Sequence, residues 1–229
     1  MSHDQPTPVQ RRAAAHRALG DPTRLAVVDA LWASDRTPQQ LCELTGLASN
    51  LLAFHLEVLE QAGLVSRHRS QGDRRRRYVM LAPVALPYVD DAAPLGAAPR
   101  HVACVLFVCT HNAARSQMAA ALWRRRTSGD ALSAGTRPAD RIHPHAVAVA
   151  AAHGLHLGDA RPRHLDELDI VPDLTVSVCD RANESDLSFG VEHRHWSIRD
   201  PMGHDRAIFE DTYARIADRV ERLAAETAA

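Results

Sequence analysis

Residues 102–119 read VACVLFVCTHNAARSQMA, and this stretch decides how the second half of the chain is built. Its first seven residues are continuously apolar, as expected of a strand buried on both faces of a parallel sheet. CTHNAARS (109–116) then breaks the run, and a helix is expected from about Ser116 to residue 127. A strand, a short loop and a helix N-terminus make an anion site. Backbone N–H groups converge, the helix dipole lies behind them, and a cation fixes the charge. Arg115 offers that cation as a planar fork matching two oxygens of a tetrahedral anion. Cys109, at the loop's start, would sit beneath the anion. There the backbone of Thr110, His111, Asn112, Ala113 and Ala114, together with Arg115, would hold it as thiolate, the nucleophilic form. Ligands of α/β sheets bind in this place, outside the carboxyl end of a strand. Taken alone, C-x5-R also describes a buried core cysteine followed by an unrelated surface arginine.

Outward from this loop, strands are expected near LSAG (132–135), LTVSVC (174–179) and His195-Trp196, and helices over HAVAVAAAH (145–153) and from about 205 to 226. Alternating strands and helices predict a doubly wound α/β domain over residues 101–229. Residues 82–100, rich in Pro, Ala and Gly with no sustained period, read as a linker. Before it, residues 1–81 read as short helices and a hairpin. Asp21-Pro22 opens one helix, Thr37-Pro38-Gln39-Gln40 is a capping box with Gly46 placed to stop the next, and Ser49 is positioned to cap a third. In that third helix Leu52, His55, Leu56 and Leu59 share a face. LVSRHRS, the turn Gln71-Gly72-Asp73 and RRRRYVML form a two-stranded wing. The fold class expected is therefore an α+β winged helix-turn-helix domain followed by the α/β domain.

Composition narrows the function classes. A hydrophobic fraction of 45% and a charged fraction of 24% are those of a globular protein. A net charge of −1 predicts no general attraction to nucleic acid, so any DNA contact needs a local patch. No run of about 18 apolar residues is present to span a membrane, and MSHDQPTPVQ lacks the apolar core of a signal peptide. Four scattered cysteines (Cys42, Cys104, Cys109, Cys179) do not make a disulfide scaffold. The expectation is a cytoplasmic protein with no membrane partner, whose thiols stay reduced. Cys104, five residues before Cys109 on one strand, falls on the opposite face and is expected in the core. The histidines show no ligand spacing, and no metal site is expected, Cys42 being a weak candidate at most.

The motifs FVCTHNAARSQMA, SAGTRP (133–138), HGLHLGDARPRHL (153–165), VSVCD (176–180) and W-x3-D-P (Trp196, Asp200, Pro201) occur in this order. They resemble the low-molecular-weight tyrosine phosphatase superfamily and, within it, the thiol-dependent arsenate reductases. The resemblance implies a parallel four-stranded sheet, with Cys109 as nucleophile and Arg115 as the anion-binding arginine. Asn112 would hold the loop, Ser116 would hydrogen-bond the thiolate, and Asp200 would be the general acid. His111 and Ala114 depart from the Gly and Cys common among the phosphatases. DPMGHDRAIFED (200–211) lacks the tyrosines with which phosphatases grip aromatic substrates, and Cys179 matches the reductases' second cysteine. Asp186 stands where thioredoxin-coupled members carry a third. An external low-molecular-weight thiol, mycothiol or glutathione, is therefore the implied reductant, with no bound cofactor and arsenate or phosphate as the oxyanion. A protein tyrosine phosphatase, or a sensor pocket that binds oxyanion without turnover, remains the alternative.

ALGDPTRLAVVDAL (18–31), LASNLLAFHLEVLEQAGLV (47–65) and GDRRRRYVML (72–81) resemble the ArsR-type repressors. That implies a homodimer joined through this domain, bound to double-stranded operator DNA. Ser49, Asn50 and His55 on the third helix and Arg67, Arg74, Arg75 and Arg76 on the wing are the expected DNA contacts. Phe54 and Glu57 stand where many relatives carry basic residues. The arsenic-responsive C-V-C thiol pair is reduced here to Gln40-Leu41-Cys42. In sum, the sequence predicts a DNA-binding regulator fused to an arsenate reductase.

Overall fold

The structure is a computed structural model and describes residues 7–89, 101–187 and 189–227. These group into two compact units. One holds the described chain up to Arg69 and from Arg75 to Val89, and the other holds Ser70–Arg74 and everything described from residue 101 on.

In the N-terminal unit, α1 (Pro8–Leu19), α2 (Pro22–Ala33), α3 (Pro38–Thr45) and α4 (Ser49–Gln61) precede the antiparallel pair β1 (Val65–Arg69) and β2 (Arg77–Leu81). The starts of the middle helices follow local chemistry. The Asp21 carboxylate accepts the Arg24 N–H at 3.0 Å. Thr37 and Gln40 form the reciprocal capping box, and Gly46 closes α3 at φ 69°, a conformation open to glycine at little cost. Ser49 does not cap α4. Helical geometry begins at Ser49 itself, so Ala48 takes the cap position with no side-chain bond. Val27, Val28, Leu31, Leu41, Leu52, Leu56, Leu59 and Val79 form the core, each burial worth about 1.5–3 kcal/mol. The start of the expected linker belongs to this core. Pro83–Ala85 is a 3-10 turn and α5 (Leu86–Val89) follows, with Ala85 and Val89 buried. Residues 90–100 of that linker lie outside the described residues. Arg74–Arg76 precede β2, so strand alternation does not sort their side chains.

In the C-terminal unit, β3 (Cys104–Cys109), α6 (Arg115–Arg126), β4 (Asp130–Gly135), α7 (Pro144–Ala152), β5 (Leu174–Ser177), α8 (Asp180–Asn183), β6 (Glu192–His195) and α9 (Arg206–Thr227) alternate as the sequence predicts. The four strands are parallel, in the order β4-β3-β5-β6. The chain leaves β3 toward β4 on one side and later pairs β5 on the other. The carboxyl end of β3 is thus the switch point where such sheets open a crevice. Phe107 lies within ring-contact distance of Trp123 and Trp196, at 6.5 and 5.8 Å between centroids, and α6 packs on α9 beneath the loop. Among the described residues no helix is long and apolar enough to cross a membrane.

Candidate active site

The loop after β3 is shaped by its carbonyl groups. Those of Cys109, Thr110, His111 and Ala113 accept hydrogen bonds from the N–H groups of Thr136, Arg137, Ala139 and His143, at 2.8 to 3.1 Å. A trans peptide points its C=O and N–H in opposite directions. Tying four carbonyls outward therefore turns the following N–H groups toward the loop's centre. The Asn112 N–H reaches the Cys109 Sγ at 3.2 Å, as this geometry requires. The segment that holds the carbonyls runs on from SAGTRP, so that motif acts through its backbone. Gly135 permits the approach, since a Cβ there would meet the Thr110 carbonyl oxygen at 2.8 Å.

Asn112 has the one positive φ of any non-glycine among the described residues, at 49°. Its side chain sustains this strained conformation. Oδ1 accepts from the Arg163 N–H and the Gln117 amide, both at 3.0 Å, and Nδ2 donates to Ser116 Oγ at 2.8 Å. With its oxygen receiving that amide proton, the Ser116 hydroxyl is free to turn its own proton to Cys109 Sγ, 3.1 Å away. Cys109, Thr110, Asn112, Ala113, Ala114, Arg115 and Ser116 are all buried, while His111 is half-buried and its Nδ1 has no hydrogen-bond partner.

Arg115 ties the loop to the far side of the site. Its Nη1 donates to the Ile198 carbonyl at 3.0 Å, and its Nη2 pairs with Asp200 Oδ1 at 3.0 Å. Burial works against its charge, yet the negative charge available on Cys179, Cys109, Asp200 and Asp180 raises its pKa above the ordinary arginine value. Cys179 caps α8, accepting the Ala182 N–H at 3.4 Å, and meets Thr110 Oγ1 at 3.4 Å. Burial pushes its thiol up, with Arg115 opposing. Next to it, Asp180 Oδ1 pairs with His195 Nε2 at 3.1 Å and accepts from Ser197. Burial favours the neutral acid there, but these bonds outweigh it and hold the carboxyl below its usual range. Within the same unit, Gln71 donates its N–H to Asp180 and accepts the Asp200 N–H, each at 2.8 Å. Gln71, Thr110, Arg115, Cys179, Asp180, Arg181 and Asp200 line a cavity of about 60 Å³, mostly polar and beside the buried thiols.

The loop residues Cys109, Asn112, Arg115 and Ser116 thus meet Cys179 and Asp200, from much later in the sequence, around one site. Asp186 lies beyond α8, exposed. Gln71, Ile198 and the 136–143 backbone were not evident in sequence, because backbone acceptors carry no residue signature and a turn glutamine has no motif. The profile for low molecular weight phosphotyrosine protein phosphatase matches residues 104–229, more than half of the chain.

The chain belongs to this family. A helix-turn-helix domain matches residues 19–68, which covers α2 to α4 and most of β1. Arsenate reductase 1 of Bacillus cereus is 32% identical over 127 residues, 52% of this chain and 92% of that protein. The glutaredoxin arsenate reductase of Synechocystis is 25% identical over 126 residues, 53% of this chain and 96% of its own. A solved arsenate reductase from Archaeoglobus fulgidus is 36% identical with TM-score 0.50, covering 53% of this chain and 98% of that one. The family member described here therefore joins a helix-turn-helix domain to an arsenate-reductase-like domain.

On the N-terminal unit, Ser49 and Asn50 are exposed at the start of α4. His55 is buried and faces Asp21 at 3.8 Å, which removes it from the DNA-facing set expected from sequence. It lies on the Leu52–Leu56–Leu59 face, and the core claims it. Arg67 Nε donates to Glu60 at 3.0 Å, while Arg74, Arg75 and Arg76 are exposed. Cys42 is half-buried against the core of this unit. Among the described residues no group of three or more His, Cys, Asp or Glu could hold a metal ion.

Proposed function

We propose that the chain is a bifunctional protein, a DNA-binding transcriptional regulator and a thiol-dependent arsenate reductase serving arsenic resistance. The observation that carries the enzymatic half is Arg115, which lies among Cys109, Cys179 and Asp200 at the head of the carbonyl-anchored loop. Arsenate binds to the inward N–H groups and the guanidinium. The Cys109 thiolate attacks As(V), an S–As bond forms, and the departing As–O oxygen takes a proton from Asp200 and leaves as water. The Cys179 thiolate then attacks Cys109 Sγ. An S–S bond forms, the S–As bond breaks with its electron pair kept on arsenic, and arsenite leaves. Two molecules of an external thiol, mycothiol or glutathione, reduce the disulfide and are oxidised to their own. With Asp186 in place of a third cysteine, the relay ends at Cys179.

The N-terminal unit acts as a homodimer on operator DNA, supported by the helix-turn-helix match and the exposed arginines. Arsenite formation by the purified chain with each thiol tests the enzymatic half, and Cys109→Ser is expected to abolish it. Absence of arsenite with every thiol system, alongside rapid hydrolysis of an aryl phosphate, would establish the phosphatase instead. Asp186 favours a second reading, a sensor that binds oxyanion without turnover. That reading requires DNA release by arsenate or phosphate in the absence of any thiol.

A further inference from the structure

We infer that α4 reads A·T base pairs in the major groove, Asn50 taking an adenine edge while Ala53 and Phe54 pack on thymine methyl groups. The inference rests on the proposed DNA-binding role of the N-terminal unit. Leu52, His55, Leu56 and Leu59 turn inward and are buried. Spacings of four, three and four residues then place Asn50, Phe54, Glu57 and Gln61 in one stripe on the opposite side, with Ser49 and Ala53 beside it. All six are exposed. Phe54 is 56% exposed, its ring set edge-on to its neighbour His55 at 5.6 Å. A large apolar group held in water at the middle of a recognition helix calls for an apolar partner in the groove.

The chemistry of Asn50, Ala53 and Phe54 fits one kind of base pair. In the major groove adenine presents N7 and N6 to a bidentate asparagine, and thymine presents its C5-methyl to apolar side chains. Guanine presents two acceptors, O6 and N7, and is read mainly by arginine or lysine. The sequence of α4, SNLLAFHLEVLEQ, contains neither. Glu57 offers an acceptor that a guanine edge repels and that cytosine N4 would suit, but it is engaged by the Gln61 amide at 3.2 Å. The arginines of this unit lie off the helix, and Arg67 is held by Glu60. They suit phosphates, whose contacts add affinity without sequence information. The helix therefore selects and the arginines hold.

Selection of the full-length protein on a randomised duplex library, followed by anisotropy titrations of the best duplex, tests this. The selected half-sites are expected to be A·T-rich under α4. Replacing the thymines there by deoxyuridine keeps pairing but removes the methyl groups, and is expected to weaken binding about fivefold to tenfold. Phe54→Ala is expected to narrow the difference between the two duplexes, and Asn50→Ala to lose discrimination at one adenine. Arg75→Ala and Arg76→Ala weaken all sequences alike and flatten the salt slope. Both α4 side chains are exposed, so unchanged thermal melting is expected to verify folding. G·C-rich half-sites, or no response to deoxyuridine, would overturn the inference while leaving DNA binding intact. Phe54→Ala that leaves DNA binding unchanged but alters the oligomeric mass would assign this face to a protein partner. Failure to bind any duplex would remove both the inference and the reading beneath it.

Discussion

Asp200→Asn separates two roles that the structure gives one carboxylate. Asp200 Oδ1 sits 3.0 Å from Arg115 Nη2, while the other arm of the fork donates to Ile198. An incoming tetrahedral anion competes with Asp200 for that arm. A hydrogen bond to a charged group contributes about 1.5–3 kcal/mol. Asp200 keeps about a quarter of its side chain in water, so solvent screening discounts this to about 1 kcal/mol. The asparagine keeps size and shape but gives up the negative charge, so oxyanion affinity should tighten by about fivefold at that energy. The same change removes the proton donor for the departing oxygen, a loss of about 10²- to 10⁴-fold in turnover. The assay is arsenite formation at saturating thiol, with inorganic phosphate as competitive inhibitor. Reduced kcat together with a lower phosphate inhibition constant is the expected pair. Reduced kcat with phosphate binding unchanged or weaker would refute the competition, and kcat within a few fold of wild type would refute the acid assignment.

Asn112 offers a stability test with an internal control. Asn112→Gly and Asn112→Ala both lose the bonds to Arg163, Gln117 and Ser116, but only alanine keeps the cost of a positive φ. The glycine variant should be more stable by about 1 kcal/mol in denaturant unfolding, both being poor enzymes. Gly135→Ala should push Thr110 away and cost activity more than stability, measured as kcat/KM beside melting temperature. For Cys179, burial raises the thiol's pKa, so the neutral form predominates around neutrality and the thiolate gains as pH rises. Single-turnover arsenite release should therefore accelerate from neutral to alkaline pH. In Cys179→Ala this dependence should be replaced by one that follows the added thiol.

The parts of this fold that were legible in sequence are those whose causes are local. The run 102–108, the loop and the following helix lie within one stretch, and the cysteine, arginine and serine carry the loop's chemistry in their side chains. Asp21, Thr37 and Gly46 were legible for the same reason. The misreadings involve choices made by packing. His55 has a polar ring that suits a groove, but its position on the Leu52–Leu56–Leu59 face assigns it to the interior. Pro83–Val89 has linker composition, yet Ala85 and Val89 are buried on the N-terminal core, which no periodicity over so short a segment could announce. Ser49 is a good cap displaced by one residue, because the helix it would open begins on it.

The anchoring of the loop bears on catalysis as well as on fold. Backbone N–H groups stabilise an oxyanion to the extent that they already point at it before it arrives, since reorientation would consume the gain. Here the orientation is imposed from outside by the four carbonyl bonds to 136–143, and inside by Asn112, whose strained backbone is held by Arg163 and Gln117. Both sets of partners come from sequence well downstream of the loop or from the helix it starts, so the loop is rigid only when β4 and the segment after it are in place. The buried network Asp180–His195–Ser197 does the same for the opposite wall, fixing the start of α8 and with it Cys179. Prolines at Thr136 or Ala139 remove one N–H donor each and fix the local φ. They should lower turnover without touching any side chain that meets the anion.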